Sequence, residues 1–111
     1  MPTQSDMFAD RIRRYRPLIV LLGPTAAGKS AVAVQVAKRY GTEILTADSR
    51  QVYRGMDIGT DKPSVEERQG IAHRLIDLVD PDEPYNAGRY QREALGEIDR
   101  VIKEGRLPLV V

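Results

Sequence analysis

Near its start the chain carries a lysine and a serine directly behind a glycine. Gly23-Pro24-Thr25-Ala26-Ala27-Gly28-Lys29-Ser30 fits the pattern G-x-x-x-x-G-K-[ST] at every fixed position. Glycines at both ends let the backbone wrap tightly, so that successive N–H groups point into one concavity that suits phosphate oxygens. A helix beginning there adds its positive dipole end. Lys29 brings a point charge to the outer phosphates, and the Ser30 hydroxyl can ligate a Mg2+ that the phosphates share. The eight residues therefore make a di- or triphosphate site, a P-loop. The motif does not specify what hangs on the phosphates, because any diphosphate satisfies the same N–H groups.

A second set of polar residues follows in 46–63: Asp48, Ser49, Arg50, Gln51, Tyr53, Arg54 and Lys62, punctuated by Gly55, Gly59 and Pro63. Asp48 stands at the C-terminal end of an expected strand beside the P-loop strand, the edge where open α/β sheets hold ligands. A carboxylate there can partner Mg2+ or act as a general base. It can equally be a helix N-cap or turn aspartate bonded to nearby backbone.

These groups need elements to hold them. Leu18-Ile19-Val20-Leu21-Leu22 is short, wholly apolar and partly β-branched, as in a parallel strand covered on both faces. The spacing predicts a helix over 29–40, with Val32, Ala33, Val36 and Ala37 on one side and Gly41 to end it. A second strand is expected over 43–47, and a third over 74–79 (RLIDLV), stopped by Asp80-Pro81. Ser64-x-x-Glu67 reads as a capping box opening a short helix. The longest helix is expected from Tyr85-Asn86 to about Glu104, with Tyr90, Ala94, Leu95, Ile98, Val101 and Ile102 at helical spacing. On its outer face Glu97 can pair with Arg100, and Asp99 with Lys103. Leu107-Pro108-Leu109-Val110-Val111 opens a further buried strand. Strands alternate with helices, so the fold class is α/β: a P-loop NTPase-like three-layer sandwich with a parallel sheet. Residues 1–16 are expected to form a polar tail and 17–111 the P-loop domain. The chain stops inside an apolar strand, so the domain is expected to be incomplete, the N-terminal part of a longer protein.

Composition narrows the function classes. With 17 basic and 16 acidic residues the net charge is +1, so global charge gives no case for nucleic-acid binding. There are no cysteines, which excludes disulfides and zinc–thiolate sites. The longest apolar stretch, 18–22, is far below the roughly 20 residues that span a bilayer. A cytoplasmic protein with no membrane partner is the default expectation. Arg11, Arg13, Arg14 and Arg16 could touch RNA phosphates but read more simply as a solvated tail. His73, the single histidine, reads as a turn or capping residue.

The succession GPTAAGKS, ADSRQVYRGMDIGTDKP, HRLIDLVDP and YNAGRYQREALGEID resembles the tRNA dimethylallyltransferase (tRNA isopentenyltransferase) family over about 18–111. The P-loop alone serves many functions; DSxQVYRGMDIGT-x-KP is far more specific. The family continues well beyond Val111, into parts absent here. The resemblance implies transfer of a dimethylallyl group from dimethylallyl diphosphate to N6 of adenosine 37 in tRNA. It makes the P-loop, residues 23–30, a cradle for the diphosphate leaving group, with Mg2+ as cofactor. It implies that Asp48 is the general base, that Asp48, Ser49, Arg50 and Gln51 contact tRNA, and that the full-length enzyme is a monomer. The target base must be flipped out of its stack, and Gln51 could read its edge. Two other readings stay open: a small-molecule P-loop kinase, and a truncated, inactive chain that only binds diphosphate.

Overall fold

The computed structural model describes residues 3–23, 28–55 and 62–111, with Ser49 described for its backbone alone. Four strands, β1 (Ile19–Val20), β2 (Ile44–Leu45), β3 (His73–Arg74) and β4 (Leu109–Val110), form one all-parallel sheet in the order β1-β4-β2-β3. Pairing continues past the strand ends: Leu21 N–H donates to the Val110 carbonyl at 2.8 Å and Ala47 N–H to the Val111 carbonyl at 2.8 Å. The strands are joined by crossovers containing α2 (Lys29–Tyr40), α3 (Val65–Arg68) and α4 (Ala87–Lys103), as parallel pairing requires.

Helices cover both faces. Ala33, Val34 and Ala37 of α2 bury themselves against Ile44 and Leu109. Ile102 of α4 and Leu107 pack with Ile12 of α1 (Gln4–Tyr15) in a second cluster. Strand side chains alternate between faces, so Leu45, buried beside Ile44, serves the other side. The expected helix–sheet–helix layering is present. Gly41 ends α2 at φ 62°, its N–H reaching the Ala37 and Lys38 carbonyls. The Ser64–Glu67 capping box opens α3, and the Asn86 side chain caps α4. The Glu97–Arg100 and Asp99–Lys103 pairs form at 2.6 and 2.8 Å.

Four expectations need correction. Residues 4–15 of the expected polar tail are helix α1, with a Thr3–Asp6 capping box and Ile12 packed on α4. The strand expected over 74–79 is cut to His73–Arg74, because Leu75 and Asp77 adopt left-handed backbone at φ 64° and 54°, which no strand tolerates. The Asp48 strand does not adjoin the P-loop strand, since β4 lies between them. Finally, Val32 of α2 and Leu95 of α4 point outward, half exposed or more, while Val34 takes the buried place.

Candidate diphosphate and base site

β1 leads to Gly23 and β2 to Asp48, so both residues follow the C-terminal ends of parallel strands, on the same edge of the sheet. Adjacent strands lie about 4.8 Å apart. With β4 between them, Gly23 and Asp48 follow strands roughly 10 Å apart.

On the β1 side, Gly28 takes the left-handed conformation at φ 74° and serves as the N-cap of α2 with no side-chain cap hydrogen bond. A β-branched or bulky residue is strained there. The first backbone N–H groups of a helix lack intrahelical partners, and a start of this kind suits an anion. Lys29 opens α2, and its Cδ lies 3.8 Å from where a Gly23 Cβ would sit, so its stem runs beside the strand end. Lys29 and Ser30 are half-buried. Pro24, Thr25, Ala26 and Ala27 lie outside the described residues.

On the β2 side, Asp48 caps a short 3-10 helix, Ser49–Val52, its side chain accepting from Arg50 N–H at 2.9 Å. The Arg50 guanidinium adds a fork: Nε at 3.0 Å from Oδ1 and Nη2 at 2.7 Å from Oδ2. The Arg50 side-chain hydrogen bonds lower the Asp48 pKa below the ordinary carboxylate range. Burial opposes them, while the Arg50 N–H bond and the charges of Arg50 and Lys29 add to the lowering. The capping role and the position at the ligand edge thus coexist in one residue, and the Lys29 charge acts on Asp48 across the gap. Gln51 is turned inward, only 7% exposed, so a base reaches its amide only by insertion beside it.

Tyr90 was legible in the sequence only as part of a core stripe. Its hydroxyl donates to the Thr46 carbonyl at 2.6 Å, which ties α4 to the end of β2. Burial first, and then the Asp48 charge, raise its pKa, so it stays a neutral donor. Lys62, one of the polar residues of 46–63, is buried at its side chain. Arg54 pairs with Asp80 and the Leu78 carbonyl at 3.2 and 3.0 Å. Tyr53 packs edge-on against Tyr85, 6.3 Å between centroids. His73 opens β3 with Nδ1 2.9 Å from the Ile71 carbonyl oxygen, and burial lowers its pKa. Arg13 of α1 and Arg16, which caps its end, bond to the Lys103 carbonyl and to Asp99. Among the described residues no helix is long and apolar enough to cross a membrane.

Comparison with known proteins bears on the family and the fold. Residues 51–111 match the family model described as IPP transferase. A tRNA dimethylallyltransferase of Thermomicrobium roseum is 48% identical over 99 residues, covering 89% of this chain and 30% of that protein. One from Pelotomaculum thermopropionicum is 53% identical over 98 residues, covering 88% and 31%. The full-length tRNA isopentenylpyrophosphate transferase of Bacillus halodurans superposes with a TM-score of 0.79 at 45% identity, over 86% of this chain and 31% of that one. A eukaryotic dimethylallyltransferase solved acting on tRNA gives 0.78 at 36% identity, over 86% and 24%. The chain thus spans about a third or less of the length of these relatives. With a matched family model over its C-terminal half and a shared fold over most of its length, the chain belongs to the IPP transferase family.

Proposed function

We propose that this chain is the diphosphate-cradling and base-bearing part of a tRNA dimethylallyltransferase, which moves a dimethylallyl group from dimethylallyl diphosphate to N6 of adenosine 37. The observation that carries it is the placement of the helix start at Gly28–Lys29 and of the Asp48 carboxylate at the same, C-terminal edge of one parallel sheet.

Within this proposal the N–H groups at the start of α2 and the Lys29 ammonium hold the diphosphate. The allylic C–O bond breaks with its electron pair leaving on the bridging oxygen, where Lys29 stabilises the growing charge. The N6 lone pair forms the new N–C bond. Its proton becomes strongly acidic as that bond forms, so even a carboxylate of lowered pKa accepts it. Asp48 is ionised at neutral pH and takes that proton. Arg50 keeps the carboxylate oriented, and as a guanidinium beside the site it also suits an RNA phosphate. Gln51 contacts the inserted base, and the Ser49 backbone belongs to the same RNA-facing turn.

Mg2+ suits this donor set. Ser30 offers one hydroxyl ligand to an ion held chiefly by substrate phosphates. When bound, the ion neutralises charge on the departing diphosphate. We place the enzyme in the cytoplasm and treat the full-length form as a monomer.

The test is transfer from dimethylallyl diphosphate with Mg2+ to an anticodon stem-loop, using this chain and the full-length protein. Transfer by the full-length protein supports the proposal. ATP-dependent phosphorylation of a small acceptor without transfer would assign the site to a kinase instead. Diphosphate binding without turnover by either form would leave a binding fragment.

A further inference from the structure

The turn bearing Asp48, Arg50 and Gln51 lies outside the sheet, so something other than the β ladder must hold it. Beyond Gln51 the chain runs alongside 77–79. Asp77 N–H donates to the Gln51 carbonyl at 2.9 Å, Val79 N–H to the Val52 carbonyl at 3.0 Å, and Arg54 N–H to the Val79 carbonyl at 2.8 Å. Tyr53 and Val79 form a parallel bridge. Lys62 closes this ring from the other side. Its side chain is 4% exposed, and its ammonium donates to the Tyr53 carbonyl at 3.0 Å and to Asp77 Oδ1 at 2.5 Å. A buried ammonium is costly unless its hydrogens find acceptors, so these bonds dictate where the Tyr53 carbonyl must be. Asp77 meets them from left-handed backbone at φ 54°, with Arg68 3.9 Å from its other oxygen. Non-glycine residues in that region persist where their surroundings over-determine them, and such residues cluster at functional sites.

We propose that Lys62 and Asp77 are positioning residues: an ion-paired clamp that sets the backbone presenting Arg50 and Gln51 to the RNA acceptor. The inference rests on the function proposed above for that turn. The clamp is tied to the segment after β3, at the opposite edge of the sheet from β1 and its P-loop. Loosening it therefore acts on the RNA side of the reaction and spares the donor side.

The experiment compares full-length wild-type protein with Lys62→Met and Asp77→Asn. Transfer to an anticodon stem-loop, affinity for dimethylallyl diphosphate, and amide hydrogen exchange are measured on each. Lys62→Met is expected to lower kcat and raise KM for the stem-loop, for a combined loss of about 10- to 100-fold. Donor affinity should stay within about twofold, since the donor cradle makes no use of the clamp. Asp77→Asn keeps an oxygen acceptor for Lys62 and is expected to lose less. Exchange should quicken in 49–55 and 77–79 and stay unchanged in α2. Wild-type stem-loop kinetics in Lys62→Met would overturn the proposal, as would a matching loss of donor affinity with faster exchange throughout. If wild-type protein fails to transfer at all, the functional proposal falls, while the exchange pattern still decides whether the clamp exists.

Discussion

Two carboxylates flank the same short strand. Glu43 precedes β2 and Asp48 follows it, and in both the pKa lies below the ordinary range because arginines hold the charged form. They differ in how fully they are used. The Glu43 side chain is 7% exposed and accepts from Arg74 at 2.7 Å, Arg100 at 2.6 Å and Arg106 at 3.3 Å, three guanidinium groups from distant parts of the chain. Burial alone would raise its pKa, and the Arg100 and Arg74 bonds overcome that. Asp48 is 28% exposed and holds one guanidinium, from its near neighbour Arg50, while the Lys29 charge faces it across the ligand edge. A carboxylate saturated from three elements fastens β2, β3 and α4 together. One held by a single local partner keeps an exposed edge for a substrate. Equal chemistry thus serves architecture at one end of the strand and, in the proposed function, reactivity at the other.

The largest effect that would break this contrast is on stability. Glu43→Ala leaves three arginines without their shared acceptor and should destabilise the protein by about 3 kcal/mol, the low end for broken buried pairs because the arginines are partly solvated. Denaturant melts of the full-length protein read it, and an unchanged midpoint would mean that Glu43 fastens nothing. Next comes the donor cradle. Lys29→Ala should weaken dimethylallyl diphosphate binding by about 10- to 100-fold, as for loss of one charge-assisted hydrogen bond, with melting unaltered. Unaltered affinity would remove Lys29 from the cradle.

A smaller effect concerns pH. Both carboxylates have their pKa lowered on folding, so the unfolded chain binds more protons in acid and stability is lost as pH drops. Their contribution is complete above the ordinary values near pH 4 and is lost as pH drops through the folded values. Glu43→Gln should flatten that acid loss visibly, and Asp48→Asn much less. Equal flattening by both would erase the contrast. The smallest effect is expected at the exposed Asp99–Lys103 pair on α4, where Asp99→Asn should leave the melting midpoint unresolved from wild type.

How far the sequence spoke depended on how local the cause was. Strand, P-loop and α2 follow one another within a single stretch, and the apolar run, the glycine pair and Gly41 act on their near neighbours. The strand and the helix of that unit were legible, as was α4 with its outward ion pairs. Helix α1 was not, because its capping box uses Asp6 in place of the usual glutamate and it buries a single side chain, Ile12. The shortening of β3 was hidden for a different reason. RLIDLV has strand composition, yet Leu75 and Asp77 are left-handed, and Asp77 is held by bonds to Gln51 and Lys62, far off in sequence. The order β1-β4-β2-β3 and the arginines around Glu43 are likewise non-local, and no short-range pattern announces them. In the candidate site the residue types were visible, while the Arg50 fork on Asp48, the inward turn of Gln51 and the Tyr90 anchor on Thr46 came only from the fold.

The central assignment is Asp48 as the proton acceptor, and single-turnover transfer by full-length Asp48→Asn measures it most directly. The expected result is a rate lower by about 10²–10⁴-fold, with donor affinity and melting midpoint close to wild type. A variant that transfers at the wild-type rate would show that the carboxylate beside Arg50 is only the cap of its 3-10 helix.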